Sequence, residues 1–411
     1  VAEQTGGESL RCNIALVKNN AFVGAEIATA LALAIKQHLR PSSIPQDFTS
    51  TKDKTTTTNN NKKRVIIVGG AVIDLVARPK EGTDLIAATS NPGTCTESDG
   101  GVGRNVAEAL GRLGCQPILY TAIGNDARGK TLRENLQNVG GLLVVNDDDN
   151  DSNNNNDNNN TAIIPQESTA TYLAVLNSQN DLHTAVADMD ILDKIRVPPR
   201  SVFEEEEQQC SSQFLILDAN PPLSVLRETA ALAATTGNTL VCLEPTSVPK
   251  ARVIAQDPSI LANLSYAFPN ADELVAMADS VVETDIPASS SSGESTDTAD
   301  MAVLQIKASV VLGMMYPREA HLVITLGERG VLLATRRNGE KCVFHHFPAK
   351  ENLVVKNSTG AGDSLCGAFI AALMNGKSQT EAVEIGMEAA NLSLCCSKKA
   401  VSPKLSTLTK M

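Results

Sequence analysis

The sequence predicts an α/β fold: a largely parallel sheet with helices on both faces. Three observations predict it. Short, nearly continuous apolar runs recur at 65–70 (VIIVGG), 214–218 (FLILD), 240–244 (LVCLE) and 321–326 (HLVITL). Such runs fit strands buried on both faces, whereas half-exposed strands alternate. Stretches with helical periodicity lie between them, as expected of strands joined by crossover helices. Two glycine-rich segments, at 100–124 and 357–370, precede or enter helical stretches, and ligands of such folds gather at loops of this kind.

In chain order, residues 9–36 carry Ala, Leu and Ile at three- and four-residue steps and read as helix. Residues 41–63 read as linker, with Pro41, Pro45, a Thr run at 55–58, Asn at 59–61 and then Lys62 and Lys63. A new apolar run begins at Val65 and marks the clearest domain boundary. Residues 65–70 form a strand ending in glycines. No strand signal directly precedes Gly100. Residues 105–113 have helical spacing and 117–123 are strand-like. Residues 169–176 and 183–187, separated by Ser178-Gln179-Asn180-Asp181, read as a hairpin. After the strands at 214–218, 240–244 and 321–326, an apolar helical run covers 364–374. His345 and His346 fall on a strand edge with no third ligand close by, which argues against a metal there.

The chain of 411 residues carries 35 Lys and Arg against 47 Asp and Glu, a net charge of −12. Three low-complexity tracts, 146–160, 204–207 and 283–300, together hold fourteen acidic residues and no basic one. These read as solvated surface loops, because such runs repel and bury nothing. The acidity is therefore confined to inserts and is no partner signal. Few aromatics (3%) and a negative charge argue against nucleic-acid binding. No run approaches the roughly 20 apolar residues of a membrane span. The nine cysteines form no CxxC pair and read as reduced thiols. The expected location is cytoplasmic, with an organelle address left open because the chain begins at Val1.

The sharpest chemical signal is 357–370, NSTGAGDSLCGAFI. Gly360, Ala361 and Gly362 stand at the start of a helix, where free N–H groups and the helix dipole attract an anion. Asp363 in the first turn is placed to take a proton from an attacking hydroxyl. The plain alternative is that Asp363 merely favours a helix start. At 100–124, Gly100, Gly101 and Gly103 lead into the helix that begins near Asn105. Glycines allow close approach of backbone to a ligand, and Asn105 offers donors and an acceptor to sugar hydroxyls. The pattern is not a dinucleotide-binding G-x-G-x-x-G. Asp74 follows the first strand on the side where a ligand would sit. Asn270 and Glu273, in PNADE at 269–273, could equally cap a helix. Residues 325–330 (TLGERG) could be a plain turn.

Together these segments resemble the PfkB, or ribokinase-like, family of carbohydrate and nucleoside kinases, over about residues 64–405. The resemblance rests on GGVGRN…G…G at 100–124 and NSTGAGD…GA at 357–370, with PNADE and TLGERG in order between them. It implies a three-layer α/β/α ribokinase-like fold with a mostly parallel central sheet and a small β-sheet lid, formed near 78–100 and 169–188. It implies ATP and Mg²⁺ as cofactors and leaves a monovalent cation open. Asp363 is then the base, and Gly360, Ala361 and Gly362 hold charge on the transferred phosphoryl. Thr325, Gly327 and Gly330 line the nucleotide. Asp74, Gly100, Gly101, Gly103 and Asn105 bind the sugar, with Tyr172 a candidate on the lid. Asn270 and Glu273 support the metal through water.

Within the family, GGVGRN, EPTSVPK at 244–250 and Ala187-Asp188-Met189 resemble the pseudouridine kinase branch. Residues 7–32 resemble the C-terminal end of pseudouridine-5′-phosphate glycosidase. The implied organisation is a glycosidase remnant at 1–40, a linker at 41–63 and a kinase domain at 64–405, the C-terminal part of a bifunctional protein. The implied reaction is ATP-dependent phosphorylation of the 5′-hydroxyl of pseudouridine. The alternatives are ribokinase or another nucleoside or sugar kinase, and, from another class, a non-catalytic sugar-binding or scaffold protein. The resemblance also implies a small-molecule nucleoside partner and a homodimer through the lid.

Overall fold

The computed structural model describes residues 64–144, 164, 166–179, 181–203, 213–236, 238–281, 301–397 and 399–410. The helix expected at 9–36 and the linker expected at 41–63, and the tracts at 146–160, 204–207 and 283–300, lie outside the described residues. The chain divides into Val1–Asn60 and Asn61–Met411, and every described element belongs to the second unit.

In chain order the elements are β1 (Arg64–Val68), β2 (Val72–Pro79), β3 (Gly93–Gly100), α1 (Val102–Arg112), β4 (Gln116–Tyr120), α2 (Ala127–Gln137) and β5 (Leu142–Val144). Then come β6 (Thr171–Leu176), β7 (Leu182–Asp188), β8 (Gln213–Asp218), α3 (Leu223–Thr235), β9 (Thr239–Glu244), α4 (Val248–Ala255) and α5 (Pro258–Leu261). The last group is β10 (Leu264–Ala267), α6 (Ala271–Val281), α7 (Met301–Met314), β11 (Glu319–Thr325), β12 (Val331–Arg337), β13 (Val343–Phe347), α8 (Ala361–Met374) and α9 (Gln379–Leu394).

The central sheet has nine strands in the order β13-β12-β11-β10-β9-β8-β1-β4-β5 among the described residues. All neighbours from β11 to β5 pair in parallel, and β12 and β13 close the other edge antiparallel. Side chains alternate along each strand, and both faces are apolar. On β1, Val65 and Ile67 join one core with α1, α2, α8 and α9, while Ile66 and Val68 join the other with α3 to α7. This is the three-layer arrangement. Phe369 of α8, fully buried, packs edge-on against Tyr266 at 5.6 Å and Phe268 at 5.4 Å, which fixes α8 against the end of β10. Truncating it to Ala would cost about 3–5 kcal/mol.

A second, four-stranded sheet has the order β3-β2-β6-β7. Its outer strands are exposed, and β3 (GTCTESDG) has hardly a buried residue. This sheet begins at Val72, earlier than the expected 78, because Gly69 and Gly70 turn the chain directly from β1 into β2. The expectation that no strand precedes Gly100 is corrected: Gly100 ends β3. A strand exposed on a lid carries no apolar pattern, so composition hid it. The helix expected from Asn105 starts a turn earlier, at Val102.

Candidate active site

The carboxyl ends of the parallel strands converge below the small sheet. Asp218 ends β8 and is 1% exposed. Its Oδ2 accepts the N–H groups of Gly70 (2.8 Å) and Gly103 (2.7 Å), and its Oδ1 accepts that of Asn220 (2.8 Å). One carboxylate thus fixes the turn after β1 and the start of α1. A Cβ on Gly103 would come within 2.9 Å of the Gly69 Cα, so this crossing needs glycine. Burial still raises the Asp218 proton affinity, against these bonds and the nearby Lys250 charge.

Asp363 lies in the first turn of α8 and is 8% exposed. Its Oδ2 accepts from Asn105 Nδ2 at 2.8 Å. Burial pushes its carboxyl up to about 7; the Asn105 bond and Arg104 lower it, and Asp218 and Glu273 raise it. A base poised there suits proton removal at neutral pH. Gly360 caps α8 with φ 76°, and its missing Cβ leaves room for Ala400, whose carbonyl oxygen would lie at 2.6 Å. The Ala361 N–H is a long 3.4 Å from the Ser358 carbonyl. The first-turn N–H groups have no acceptor within the helix, so the turn is a donor cradle.

From the lid, Asp74 of β2 pairs across with Ser98 and beside Tyr172. Burial raises its carboxyl to about 6, with Arg104 opposing and Asp99 adding to the rise. Gly100 is glycine for this carboxylate: a Cβ would meet Asp74 Oδ2 at 2.1 Å.

Two cavities meet here. One, of about 440 Å³, lies under the lid among Asp74, Asn105, Tyr172, Asn220, Glu244 and Asp363. The other, of about 770 Å³, is lined by Gly327, Gly330, Val355, Met387, Ala390 and Leu394 and is largely apolar. Thr325, Ser358, Gly362 and Leu365 border both. A Cβ at Gly362 would meet no atom within 4 Å, so this glycine leaves the junction open.

The first cavity has an acidic wall. Glu244 ends β9 and its proton affinity is raised well above the usual carboxylate value, by burial and by the charges of Asp363, Glu273 and Asp218. Glu273 is raised by burial. Asn270 and Glu273 cap α6 reciprocally: Asn270 N–H donates to Glu273 Oε2 at 2.9 Å and Glu273 N–H to Asn270 Oδ1 at 2.8 Å. Thr246, β-branched yet at φ 69°, is held by Glu244 Oε2 on its N–H (2.7 Å) and by the Ala219 N–H on its Oγ1 (3.0 Å). Such a conformation costs about 1–3 kcal/mol and clusters at functional sites. Mutually repelling buried oxygens suit a hard cation such as Mg²⁺. No three His, Cys, Asp or Glu side chains among the described residues converge to hold one directly.

Of the residues expected at the site, Asp74, Gly101, Asn105, Tyr172, Asn270, Glu273, Gly360, Gly362 and Asp363 border the first cavity. Gly327, Gly330 and Ala361 border the second, and Thr325 and Gly362 both. Gly100 and Gly103 border neither; they make room for Asp74 and Gly69. Asp218, Asn220 and Thr246 were not among the expected site residues, nor was Glu244 given a role. For Asp218 and Glu244 the signal was a carboxylate closing an apolar run, in FLILD and LVCLE, at the strand end where ligands gather; Asn220 and Thr246 follow two residues later. The seven cysteines among the described residues are free thiols. No described helix is long and apolar enough to cross a membrane.

Residues 62–405 match the family described as pfkB family carbohydrate kinase. A pseudouridine kinase of Arabidopsis thaliana is 25% identical over 361 residues, which cover 78% of this chain and 87% of that protein. A pseudouridine-metabolizing bifunctional protein of Schizosaccharomyces pombe is 23% identical over 463 residues, covering 99% of this chain and 58% of that one. Among solved structures, the Arabidopsis thaliana ribokinase complexed with ribose and ATP superposes with a TM-score of 0.61 at 18% identity, over 85% of this chain and 99% of that one.

Proposed function

The chain belongs to the pfkB family of carbohydrate kinases, and on that premise we propose that it transfers the terminal phosphoryl group of ATP to the 5′-hydroxyl of pseudouridine. The observation that carries the reading is Asp363, held by Asn105 at the junction of a polar, lid-covered cavity and a largely apolar one. In this reading the polar cavity takes the nucleoside, with Asp74 and Asn105 on ribose hydroxyls and Tyr172 above. The apolar cavity takes the adenine, bordered by Gly327 and Gly330.

Asp363 accepts the proton of the acceptor hydroxyl as the hydroxyl oxygen attacks the terminal phosphorus and the bond from that phosphorus to the bridging oxygen breaks, releasing ADP. The N–H groups at Gly360, Ala361 and Gly362 stabilise the charge spread over the phosphoryl oxygens. Asn270, Glu273 and Glu244 on the cavity wall would hold Mg²⁺, which would supply neutralisation of phosphate charge. The lid excludes water as a competing acceptor. Transfer of this kind needs alignment more than covalent help.

The pseudouridine kinase relative supports the substrate. The bifunctional relative, matched over nearly the whole chain, supports residues 1–40 as a glycosidase remnant joined through 41–63 to the kinase domain of 64–405. A kinase and a glycosidase would act in turn, since a C-glycosidic bond resists ordinary nucleosidases. Exposed Leu182 and Val186 on β7 support a homodimer through the lid.

An acceptor panel tests the reading. With ATP and Mg²⁺, pseudouridine is expected to give a kcat/KM at least about tenfold above uridine, adenosine or ribose. Equal turnover removes the substrate assignment, and ribose preference favours a ribokinase.

A further inference from the structure

The side-chain amide of Asn105 can point either way, and only one way serves Asp363. Its Oδ1 accepts from Arg104 Nη1 at 2.8 Å. A guanidinium has no acceptor, so Oδ1 must face Arg104 and Nδ2 must face Asp363. Arg104 is itself 2% exposed and held from several sides. Its Nη1 donates to the Asp99 carbonyl at 3.2 Å and its Nη2 lies 3.4 Å from Asp99 Oδ2, both at the end of lid strand β3 just before Gly100. Its Nη2 also bonds Glu108, whose other oxygen takes Arg112 Nε at 2.8 Å. Asp99 Oδ2 in turn accepts from Asn135 Nδ2 of α2 at 2.7 Å.

We propose that Arg104 is a positioning residue for the phosphoryl-transfer step: it locks the Asn105 amide so that Nδ2 grips Asp363 Oδ2, and it ties that grip to the root of the lid at Asp99. The inference rests on the reading of Asp363 as the base. With Oδ2 occupied, the other carboxylate oxygen is the one left for the acceptor hydroxyl. Arg104 borders neither cavity; it acts through Asn105. A flipped amide would present its oxygen to the carboxylate, and two acceptors repel.

A double-mutant cycle tests this on the best acceptor of the panel. Arg104→Lys keeps a cation beside Glu108 but loses the planar fork that serves Asn105 and Asp99 at once. We expect it to melt near the unsubstituted protein, to keep nucleotide affinity within about twofold, and to lose about tenfold or more in kcat. Asn105→Ala should lose at least as much. The double variant should be no worse than Asn105→Ala alone, because one acts through the other. Multiplying losses, or a kcat for Arg104→Lys within about twofold of the original, overturn the proposal. If Arg104→Lys does not fold, Arg104→Met with Glu108→Gln removes the buried charge together with its partner's, and the same cycle is read. Absence of turnover on every acceptor by the unsubstituted chain overturns the base reading and this role with it. Turnover with independent effects overturns the Arg104 role alone.

Discussion

Asp363 illustrates how one residue sets stability against function. Its carboxyl is held near 7 by burial, so its charged form is disfavoured in the folded protein. A raised carboxyl contributes stability below its unfolded value, and that contribution is lost as pH climbs through the folded one. The unliganded protein is therefore expected to weaken between about pH 4 and pH 7, while kcat/KM rises through about pH 7 as the base ionises. Asp363→Asn should lower kcat about 100- to 10,000-fold. It should also raise the melting temperature at about pH 8 by roughly 2 °C, and less at about pH 5. Activity assays and thermal melts at the two pH values check this; an unchanged pH dependence of melting would remove the electrostatic account. The sequence marked Asp363 as a candidate because a carboxylate after a GAG turn sits at an anion-attracting helix start, although it read also as a plain helix-start residue. It hid Arg104, because a buried arginine looks like a surface one until its partners are seen.

At the scale of elements, the start of α8 uses two glycines for opposite reasons. Gly360 is needed for its φ of 76° and for the Ala400 carbonyl against it. Gly362 has open space at its missing Cβ and borders both cavities. Gly360→Ala should destabilise by about 1–3 kcal/mol through strain. Gly362→Ala should melt as the original does, yet lose about tenfold or more in kcat, because its methyl would stand at the junction of the two cavities, across which the proposed transfer takes place. Melting curves beside kinetics separate the two, and equal destabilisation would sink the distinction. The buried strands β1, β8, β9 and β11 were legible to within about two residues, since an apolar run on a two-sided sheet has a single reading. The lid strand β3 was not, because neither of its faces is buried and register alone defines it. The Asn270 and Glu273 pair read equally as cap and as metal support; the structure shows the reciprocal cap, and its place on the cavity wall leaves room for both roles.

Across the whole molecule, the acidic tracts fall in sequence between the described elements. Residues 146–160 fall between β5 and the bridge of Ile164 to Gly124. Replacing them with a short Gly-Ser connector is expected to leave kcat within about twofold and the melting temperature within about 2 °C, since loop closure depends only weakly on length. A large loss in either would assign the tract a part in the fold. The two cavities also differ in how they are assembled. The apolar one is drawn from residues 325 to 394, a single late stretch, whereas the polar one draws on residues from 72 to 365. The floor of the latter hangs on Asp218 Oδ2, whose bonds reach back 148 residues to Gly70 and 115 to Gly103. A chain still leaving the ribosome therefore lacks the carboxylate that fixes both glycine turns until residue 218 has been made, and lacks the Asp363 carboxylate until residue 363.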